Sequence, residues 1–236
     1  MPEKRERLLV ASSTYLRLKY SERRAPATGY PDRLAAHLTE TVFERPGRLL
    51  DLGCGRGDFL EAFRRAGFDT VGADIHDDRH TEAVFADIDE PLPFADDEFD
   101  FVFSKSVVEH LSDALVALAE IRRVLRPGGR LAVLTPSWRH TGQEIFYSEY
   151  THVRPFTKQS LAEALTLANF ENVVVDYFWQ LPLLWRSPVL RPLTLVPRLF
   201  RLPYRPLMEV GWPAPLNRAI RFSREVMLLG TAQKPG

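Results

Sequence analysis

Residues 49–60 constrain the fold of this chain more than any other segment, and they read LLDLGCGRGDFL. An apolar run ends at Asp51, a glycine-rich turn follows, and an amphipathic helical pattern begins directly after it. The turn contains three alternating glycines, Gly53, Gly55 and Gly57. Glycine permits backbone angles that a Cβ forbids and lets the backbone approach a ligand closely. The segment therefore predicts a strand, a ligand-binding turn and a helix N-terminus. In the G-x-G-x-x-G fingerprint of dinucleotide-binding folds the last glycine stands where this chain has Asp58.

Two later strands are also predicted to end in an acid. Residues 70–74 read TVGAD and residues 84–87 read VFAD. The alternation of strand and helix predicts parallel strands joined by right-handed crossovers. Because open parallel sheets bind ligands at the carboxyl ends of their strands, these acids are candidate ligand-binding groups. Three more landmarks follow: LPFADDEFDFVF at 92–103, VVEHL at 107–111 and EIRRVLRPGGRL at 120–131.

In this order, the six segments resemble those of the class I S-adenosylmethionine (SAM)-dependent methyltransferases, of the methyltransferase type 11/12-like kind. The resemblance covers residues 49–135. It implies an α/β, Rossmann-like, seven-stranded and mostly parallel sheet with an antiparallel last strand. Helices are expected on both faces of the sheet, and a cap insertion is expected near the C-terminus. The cofactor that it implies is S-adenosyl-L-methionine.

The length suits one α/β domain, so we expect residues 1–236 to form a single methyltransferase domain. Residues 1–45 are predicted to form an N-terminal helical lid, and 46–180 the SAM-binding core. Residues 181–224 would form a cap insertion over the carboxyl edge of the sheet, and 225–236 the last strand and tail.

The resemblance assigns the methionine part of SAM to the glycine turn and its neighbours. Gly53, Gly55 and Gly57 would approach it by their backbone. Asp51 would hold the turn or meet the ammonium group of the cofactor. Ser104, after the fourth strand, would face the methionine moiety.

The nucleoside part of SAM is assigned to the ends of the next two strands. Asp74 would accept hydrogen bonds from the ribose hydroxyls, since a carboxylate can accept from both. Ile75 would pack on adenine. Asp87 would accept from the adenine amino group, with Ile88 against the ring.

Two histidines are candidate catalytic groups. A base is needed only if the methyl acceptor is a hydroxyl or a carbon acid, because the leaving group of a sulfonium is already activated. His110 follows the fourth strand. His152 lies in YSEYTHVRPFT at 147–157, which resembles a segment found in part of the family, and its side chain suits proton removal near neutral pH. For each, ordering a loop is the alternative role. Three other side chains are candidates for the pocket or the core: Trp138, His140 and Tyr147.

No metal site is predicted. The group His76, Asp77, Asp78 and His80 has suitable side chains, yet it has no spacing that fixes a site. The single cysteine, Cys54, excludes an internal disulfide, and we interpret it as a small packing residue.

The cap insertion has an unusual composition. Residues 181–224 contain eight arginines and one acid, Glu209, which gives a formal charge of +7 in a chain of net charge zero. Frequent prolines forbid any long helix there, and leucines and tryptophans alternate with the arginines. Three interpretations remain: a solvated surface, a site for an anionic acceptor, or peripheral contact with an anionic membrane.

Composition restricts the remaining classes. Zero net charge argues against a general nucleic-acid-binding protein. The charged start, MPEKRER, lacks the apolar core of a signal peptide, so a cytoplasmic location is expected, with membrane association through 181–224 as an alternative. The predicted function is O-methylation of a small molecule such as a sugar, glycolipid or secondary metabolite. The alternatives are a membrane-surface quinone or lipid methyltransferase, a non-catalytic SAM-binding regulatory protein, and an NAD-dependent oxidoreductase.

Overall fold

A computed structural model describes residues 29–75 and 83–236 of the chain, and these form one seven-stranded sheet flanked by helices. The spatial order of the strands is β3-β2-β1-β4-β5-β7-β6. The strands are β1 (Arg48–Leu52), β2 (Asp69–Asp74), β3 (Val84–Phe85), β4 (Phe99–Lys105), β5 (Leu125–Pro136), β6 (Glu171–Phe178) and β7 (Met227–Gln233).

Helices connect the strands and form the cap. They are α1 (Tyr30–Leu38), α2 (Asp58–Arg65), α3 (Ala114–Val124), α4 (Trp138–Phe146), α5 (Lys158–Leu167), α6 (Pro182–Arg186), α7 (Leu195–Leu199) and α8 (Ala214–Arg224). A π-helical turn, Thr39–Phe43, extends α1, and 3₁₀ turns occupy Val108–His110 and Pro188–Thr194. Within the described ranges, none of the helices combines the length and apolar character that crossing a bilayer requires.

The strand pairing confirms the predicted fold class. β3, β2, β1, β4 and β5 pair in parallel, whereas β7 is antiparallel to both β5 and β6. The carboxyl ends of β1, β2 and β4 therefore lie at one edge of the sheet, which we call the carboxyl edge. This edge carries the glycine turn and the acids singled out in the sequence.

Apolar side chains bury both faces of the sheet. In β1, Leu49 belongs to the core under α1 and α2, and Leu50 belongs to the core under α3 and α5. Successive side chains of a strand point to opposite faces, so a strand covered on both sides needs a continuous apolar run. The helices on both faces that the sequence predicts are thus confirmed.

The helix boundaries follow local capping chemistry. The Asp113 carboxylate accepts from the backbone N–H of Leu115 at the start of α3. Thr157 caps α5 in a capping box with Ser160. The helix before the P-G-G turn ends at Val124, because Leu125 already pairs with β4.

The expectation that prolines forbid any long helix in residues 181–224 is wrong for α8. This helix runs for 11 residues. Pro213 precedes it and Pro215 lies in its first turn, where the missing backbone N–H would have no intrahelical partner. The other α-helices of the segment, α6 and α7, have five residues each, and the 3₁₀ turn Pro188–Thr194 has seven.

Trp185 anchors the beginning of the cap segment to the first described helix. Its ring stacks on His37 of α1 at a centroid distance of 4.9 Å and packs against Phe178 at 5.1 Å. The indole N–H donates to the carbonyl of Trp179 at 2.7 Å. The cap and α1 are therefore in direct contact.

Candidate functional site

The glycine turn adopts the backbone conformation that its sequence predicts. Gly53, Gly55 and Gly57 have φ angles of 80°, 52° and 77°, all in the left-handed region. A Cβ at Gly53 would lie 2.2 Å from Cγ2 of Val107, so the segment after β4 packs directly on the turn. A Cβ at Gly55 would meet no atom within 4 Å. The turn thus presents an open face at Gly55 beside the end of β4.

Asp74 holds this turn through its carboxylate. Oδ2 of Asp74 accepts from the backbone N–H of Gly55 at 2.7 Å, and the residue is 7% exposed. A charge-assisted hydrogen bond of this kind is among the stronger ones in proteins. The acid at the end of β2 therefore fixes the centre of the glycine turn, and the half-buried Ile75 follows it.

Asp51 of β1 is in register with Phe103 of β4, and Leu52 with Ser104, so Asp51 and Ser104 lie at the ends of adjacent strands with their side chains on opposite faces of the sheet. Oδ2 of Asp51 and Oγ of Ser104 are both buried without a hydrogen-bond partner. A buried polar atom without a partner costs about 1–3 kcal/mol. Groups that accept this cost beside an open glycine turn fit a polar ligand. The ammonium of a bound amino acid would supply the missing partner of Asp51, which lies at the end of the strand that leads into the glycine turn.

Asp51 is held in an unusual protonation state. Burial, and to a smaller extent the negative charge of Asp74, raise its pKa to about 8, although a hydrogen bond from the backbone of Leu60 acts in the opposite direction. At pH 7 the carboxyl group is therefore mostly protonated when no cation lies near it.

We predict that SAM binding releases a proton from Asp51. The cofactor's ammonium favours the ionised carboxylate, so the pKa of Asp51 falls in the complex and affinity rises as pH increases towards 8. Calorimetry at pH 7 in buffers of different ionisation enthalpy measures this release, which should approach one proton per SAM. The variant Asp51→Asn should abolish it. Binding heats that do not depend on the buffer would contradict the role of Asp51.

Asp87 and Ile88 follow β3, as the sequence predicts, and both are half-buried. Oδ1 of Asp87 accepts from the backbone N–H of Asp89 at 3.1 Å, and Ile88 packs against the core under α3 and α5. Their roles towards adenine stay predictions.

The structure brings the two candidate catalytic histidines together. The rings of His110 and His152 lie at a centroid distance of 4.8 Å. Nδ1 of His110 lies 3.2 Å from the carbonyl oxygen of Thr151, and Nδ1 of His152 lies 2.7 Å from that of Phe146. A carbonyl oxygen only accepts, so Nδ1 carries the proton in both rings. In the neutral rings Nε2 then has the lone pair.

Glu109 completes this group and was missed in the sequence, although it stands directly before His110. Its side chain is fully buried, with Oε2 accepting from the Thr135 hydroxyl at 2.9 Å. Oε1 has no hydrogen-bond partner and lies 4.0 Å from Nε2 of His152. Burial raises the pKa of Glu109 to about 7. An acid inside the apolar run VVEHL is the sequence signal that would have found it. We call Glu109, His110 and His152 the Glu–His cluster.

Charged groups of the cap reach the same edge. Burial lowers the pKa of Lys105 at the end of β4, and among charges Glu109 has the largest effect, which favours the ammonium. Arg221 of α8 and Glu225 also act on Lys105. Arg221 pairs with Glu225 at 2.8 Å. The end of the cap segment therefore lies against the end of β4.

The other candidate pocket residues have separate environments. His140 packs on Tyr177 at 4.6 Å, its Nδ1 lies 2.9 Å from the Ser137 hydroxyl, and burial lowers its pKa to about 4. Trp138 packs edge-on against Phe146, and Tyr147 is half exposed. Cys54 is buried, as expected of a packing residue. The group His76, Asp77, Asp78 and His80 lies outside the described residues.

A family model described as a methyltransferase domain matches residues 21–175, which is more than half of the chain. The chain belongs to the methyltransferase-domain family. The predicted resemblance is thereby confirmed, and the glycine turn, the acids at the ends of β2 and β3 and the end of β4 all lie inside the matched region.

Curated relatives include two kinds of O-methyltransferase. The ubiquinone biosynthesis O-methyltransferase of Cereibacter sphaeroides (strain ATCC 17025) is 39% identical over 100 residues, 37% of this chain and 40% of that protein. The malonyl-[acyl-carrier protein] O-methyltransferase of Erwinia pyrifoliae is 31% identical over 148 residues, 53% of this chain and 56% of that protein. The chain thus spans about half the length of these relatives.

Solved structures confirm the fold. A SAM-dependent methyltransferase from Archaeoglobus fulgidus superposes with a TM-score of 0.59 at 21% identity, covering 86% of this chain and 94% of that one. The 1,6-didemethyltoxoflavin-N1-methyltransferase of Burkholderia thailandensis was solved with 1,6-didemethyltoxoflavin and S-adenosylhomocysteine. It superposes with a TM-score of 0.63 at 17% identity, covering 100% of this chain and 91% of that one. The predicted cofactor of this methyltransferase family, S-adenosyl-L-methionine, is confirmed with the family.

Proposed function

We propose that this methyltransferase transfers the methyl group of SAM to a hydroxyl of a small molecule that binds beside the Glu–His cluster. One observation carries the cofactor part of this proposal. Oδ2 of Asp51 is buried without a hydrogen-bond partner at the end of β1, just before the glycine turn with its open face at Gly55. The ammonium of a bound amino acid would satisfy this atom, whereas a purely structural turn leaves the cost of burying it uncompensated.

The acceptor part of the proposal rests on where the Glu–His cluster lies. Glu109 stands two residues after Val107, whose side chain packs on the glycine turn, and this supports an acceptor site next to the methionine part of SAM. His152 Nε2 carries the lone pair that a base needs, and a backbone carbonyl orients its ring through Nδ1. Bound SAM supplies a methyl group on a sulfonium sulfur. The acceptor oxygen forms the C–O bond as the C–S bond breaks, and its proton passes to His152.

Calorimetry with SAM and with NADH tests the cofactor directly. We expect SAM to bind and NADH to give no heat, because the third glycine of the dinucleotide fingerprint is replaced by Asp58. Incubation of the protein with methyl-labelled SAM and cell extract then tests turnover. Label in the lipid or the aqueous fraction identifies the acceptor class. SAM binding without transfer of label to any fraction would favour a non-catalytic regulatory protein.

A membrane-surface acceptor is the second candidate, and the exposed side chains of the cap favour it. More than half of the exposed large apolar side chains of the described residues lie in 181–224. They are Leu183, Val189, Leu193, Leu195, Val196, Leu199, Phe200, Met208, Trp212 and Leu216. Surface of this kind, with arginines interspersed, suits shallow docking on anionic lipid.

The eight cap arginines form two groups, five that contact other groups of the protein and three that are exposed. In the first group Arg191 lies over the ring of Trp179, Arg198 donates to the carbonyl of Arg139, and Arg205 pairs with Glu209. Arg221 and Arg224 make internal contacts, with Glu225 and with the carbonyl of Leu202. By contrast, Arg186, Arg201 and Arg218 are exposed and form no ion pair with a described residue. The second group is thus positioned to meet an external anion.

We predict that the protein sediments with phosphatidylglycerol vesicles and is released as salt rises. Each engaged arginine contributes about 1 kcal/mol at low ionic strength. Replacing Arg198, Arg201 and Arg205 together with Gln should remove most of this binding. The variant with Arg186, Arg201 and Arg218 replaced should remove more, since Arg198 also donates to the carbonyl of Arg139 and Arg205 pairs with Glu209.

Uncharged phosphatidylcholine vesicles provide the control, and SAM affinity should not change in either variant. If wild-type protein does not sediment with acidic vesicles, the membrane candidate fails. A loss of turnover on a soluble anionic acceptor in the same variants would then assign the arginines to an acceptor pocket.

A further inference from the structure

We infer that Glu109, His110 and His152 form a binding site for a divalent transition-metal cation, with Zn²⁺ as the best match. This inference rests on the proposed function only for the role of the ion, and the binding site itself stands on geometry. Each of the three residues offers one ligand atom, and these atoms all lie within 4.8 Å of one another.

A buried acceptor without a partner points to a missing cation. Glu109 is fully buried, yet its Oε1 has no hydrogen-bond partner, and this atom lies 4.0 Å from Nε2 of His152. Leaving a carboxylate oxygen unsatisfied in the interior is costly. The two imidazoles near Oε1 of Glu109 do not remove this desolvation cost, because neither forms a hydrogen bond with it. A cation bound between the three groups would remove the cost.

The outer contacts of the cluster are those of metal ligands. Both histidines donate Nδ1–H to backbone carbonyls, of Thr151 and Phe146, which fixes their tautomers and leaves the lone pair on Nε2. The Thr135 hydroxyl donates to Oε2 of Glu109, which orients the carboxylate. Metal-binding histidines and carboxylates are held in this way by second partners, and these partners raise affinity.

The donor set selects the kind of ion. Two imidazole nitrogens and one carboxylate oxygen suit Zn²⁺ and other first-row transition metals better than Ca²⁺ or Mg²⁺, which prefer oxygen ligands. Tetrahedral Zn²⁺ with bonds of about 2.0 Å requires ligand atoms roughly 3.3 Å apart. Binding therefore requires the widest separation in the cluster, 4.8 Å, to close by about 1.5 Å.

Three protein ligands leave one position of a tetrahedral ion open, as in catalytic zinc sites. The acceptor hydroxyl would occupy it beside the glycine turn. A cation there lowers the pKa of a hydroxyl, as zinc does for water, so the acceptor loses its proton to solvent. The ion thus replaces His152 as the group that activates the acceptor, and His152 serves as a ligand.

The test uses the full chain after removal of metal with a chelator. Titration with Zn²⁺ against a chromophoric competitor should show one site, and Co²⁺ should give an absorption spectrum typical of low coordination number. Glu109→Gln, His110→Gln and His152→Gln should each weaken Zn²⁺ binding at least tenfold. Thr135→Val should weaken it less, and His140→Gln, which changes a histidine outside the cluster, should have no effect.

Wild-type protein that binds no Zn²⁺ or Co²⁺ would overturn the inference even if a variant fails to fold. Unchanged affinity in all three ligand variants would overturn it as well. Stoichiometric binding that is lost in these variants supports the site whether or not methyl transfer is detected. Conversely, full turnover by the metal-free enzyme would retain the proposed function and refute the role of the ion.

Discussion

Gly55→Val should abolish SAM binding while the protein remains folded. Gly55 has a φ of 52°, where a β-branched residue is strained by about 1–2 kcal/mol, and its missing Cβ points into open space instead of into protein atoms. The added isopropyl group would occupy the volume that the cofactor's methionine part needs. Calorimetry should detect no binding, and circular dichroism and the unfolding temperature should show a folded protein.

A matched control separates backbone strain from loss of the site. Gly128 also has a left-handed φ, of 74°. A Cβ added at this position would have the Gln233 side chain, at 3.7 Å, as its nearest neighbour. It lies at the start of β5, at the opposite edge of the sheet from the glycine turn. Gly128→Val should destabilise the fold by a similar amount and bind SAM normally. Normal binding in Gly55→Val would refute the assignment of the turn.

Asp74→Ala should weaken SAM binding by roughly 2–3 kcal/mol, or about 30- to 150-fold, because two interactions are lost together. The ribose hydroxyls lose a charged acceptor, and the N–H of Gly55 loses the carboxylate that holds the turn at 2.7 Å. The variant Asp74→Asn should lose less, since an amide oxygen can still accept from that N–H. SAM affinity measured by calorimetry provides the comparison.

Asp69→Ala is the control for Asp74, because Asp69 begins the same strand at the other edge of the sheet. Its carboxylate is exposed and pairs with Arg48 at 3.0 Å, an interaction that contributes little to stability. SAM affinity should therefore be unchanged in this variant. Equal affinity in Asp74→Ala and wild type would remove Asp74 from the cofactor site.

The carboxyl edge of the sheet could be predicted from the sequence because its chemistry follows the chain locally. Gly53, Gly55 and Gly57 predict a left-handed turn, and an acid ends β2 where this strand reaches the carboxyl edge of the sheet. The alternation of strands and helices then defines the sheet, since parallel strands require crossovers. Each of these inferences needs only residues that are near one another in the sequence.

The acceptor side could not be predicted in the same way, because it is assembled from distant segments. Glu109 meets Thr135 from β5 and His152 from the loop before α5, contacts that no local pattern reveals. Lys105 owes its perturbed pKa partly to Arg221, more than a hundred residues later. The 11-residue α8 was missed because proline was treated as a breaker without regard to its position in the helix.

The cap segment leaves and re-enters the sheet at two residues that pair with each other, Phe178 of β6 and Met227 of β7. Closing a long loop between ends that are already joined costs little: relative to a four-residue hairpin, this one adds about 2 kcal/mol of chain entropy. The strands that form the carboxyl edge therefore pair in the correct register without any contribution from the cap segment. Evolution can therefore replace, lengthen or change the sequence of the cap segment to accept new substrates, while the strands and turn that hold the methyl donor stay the same.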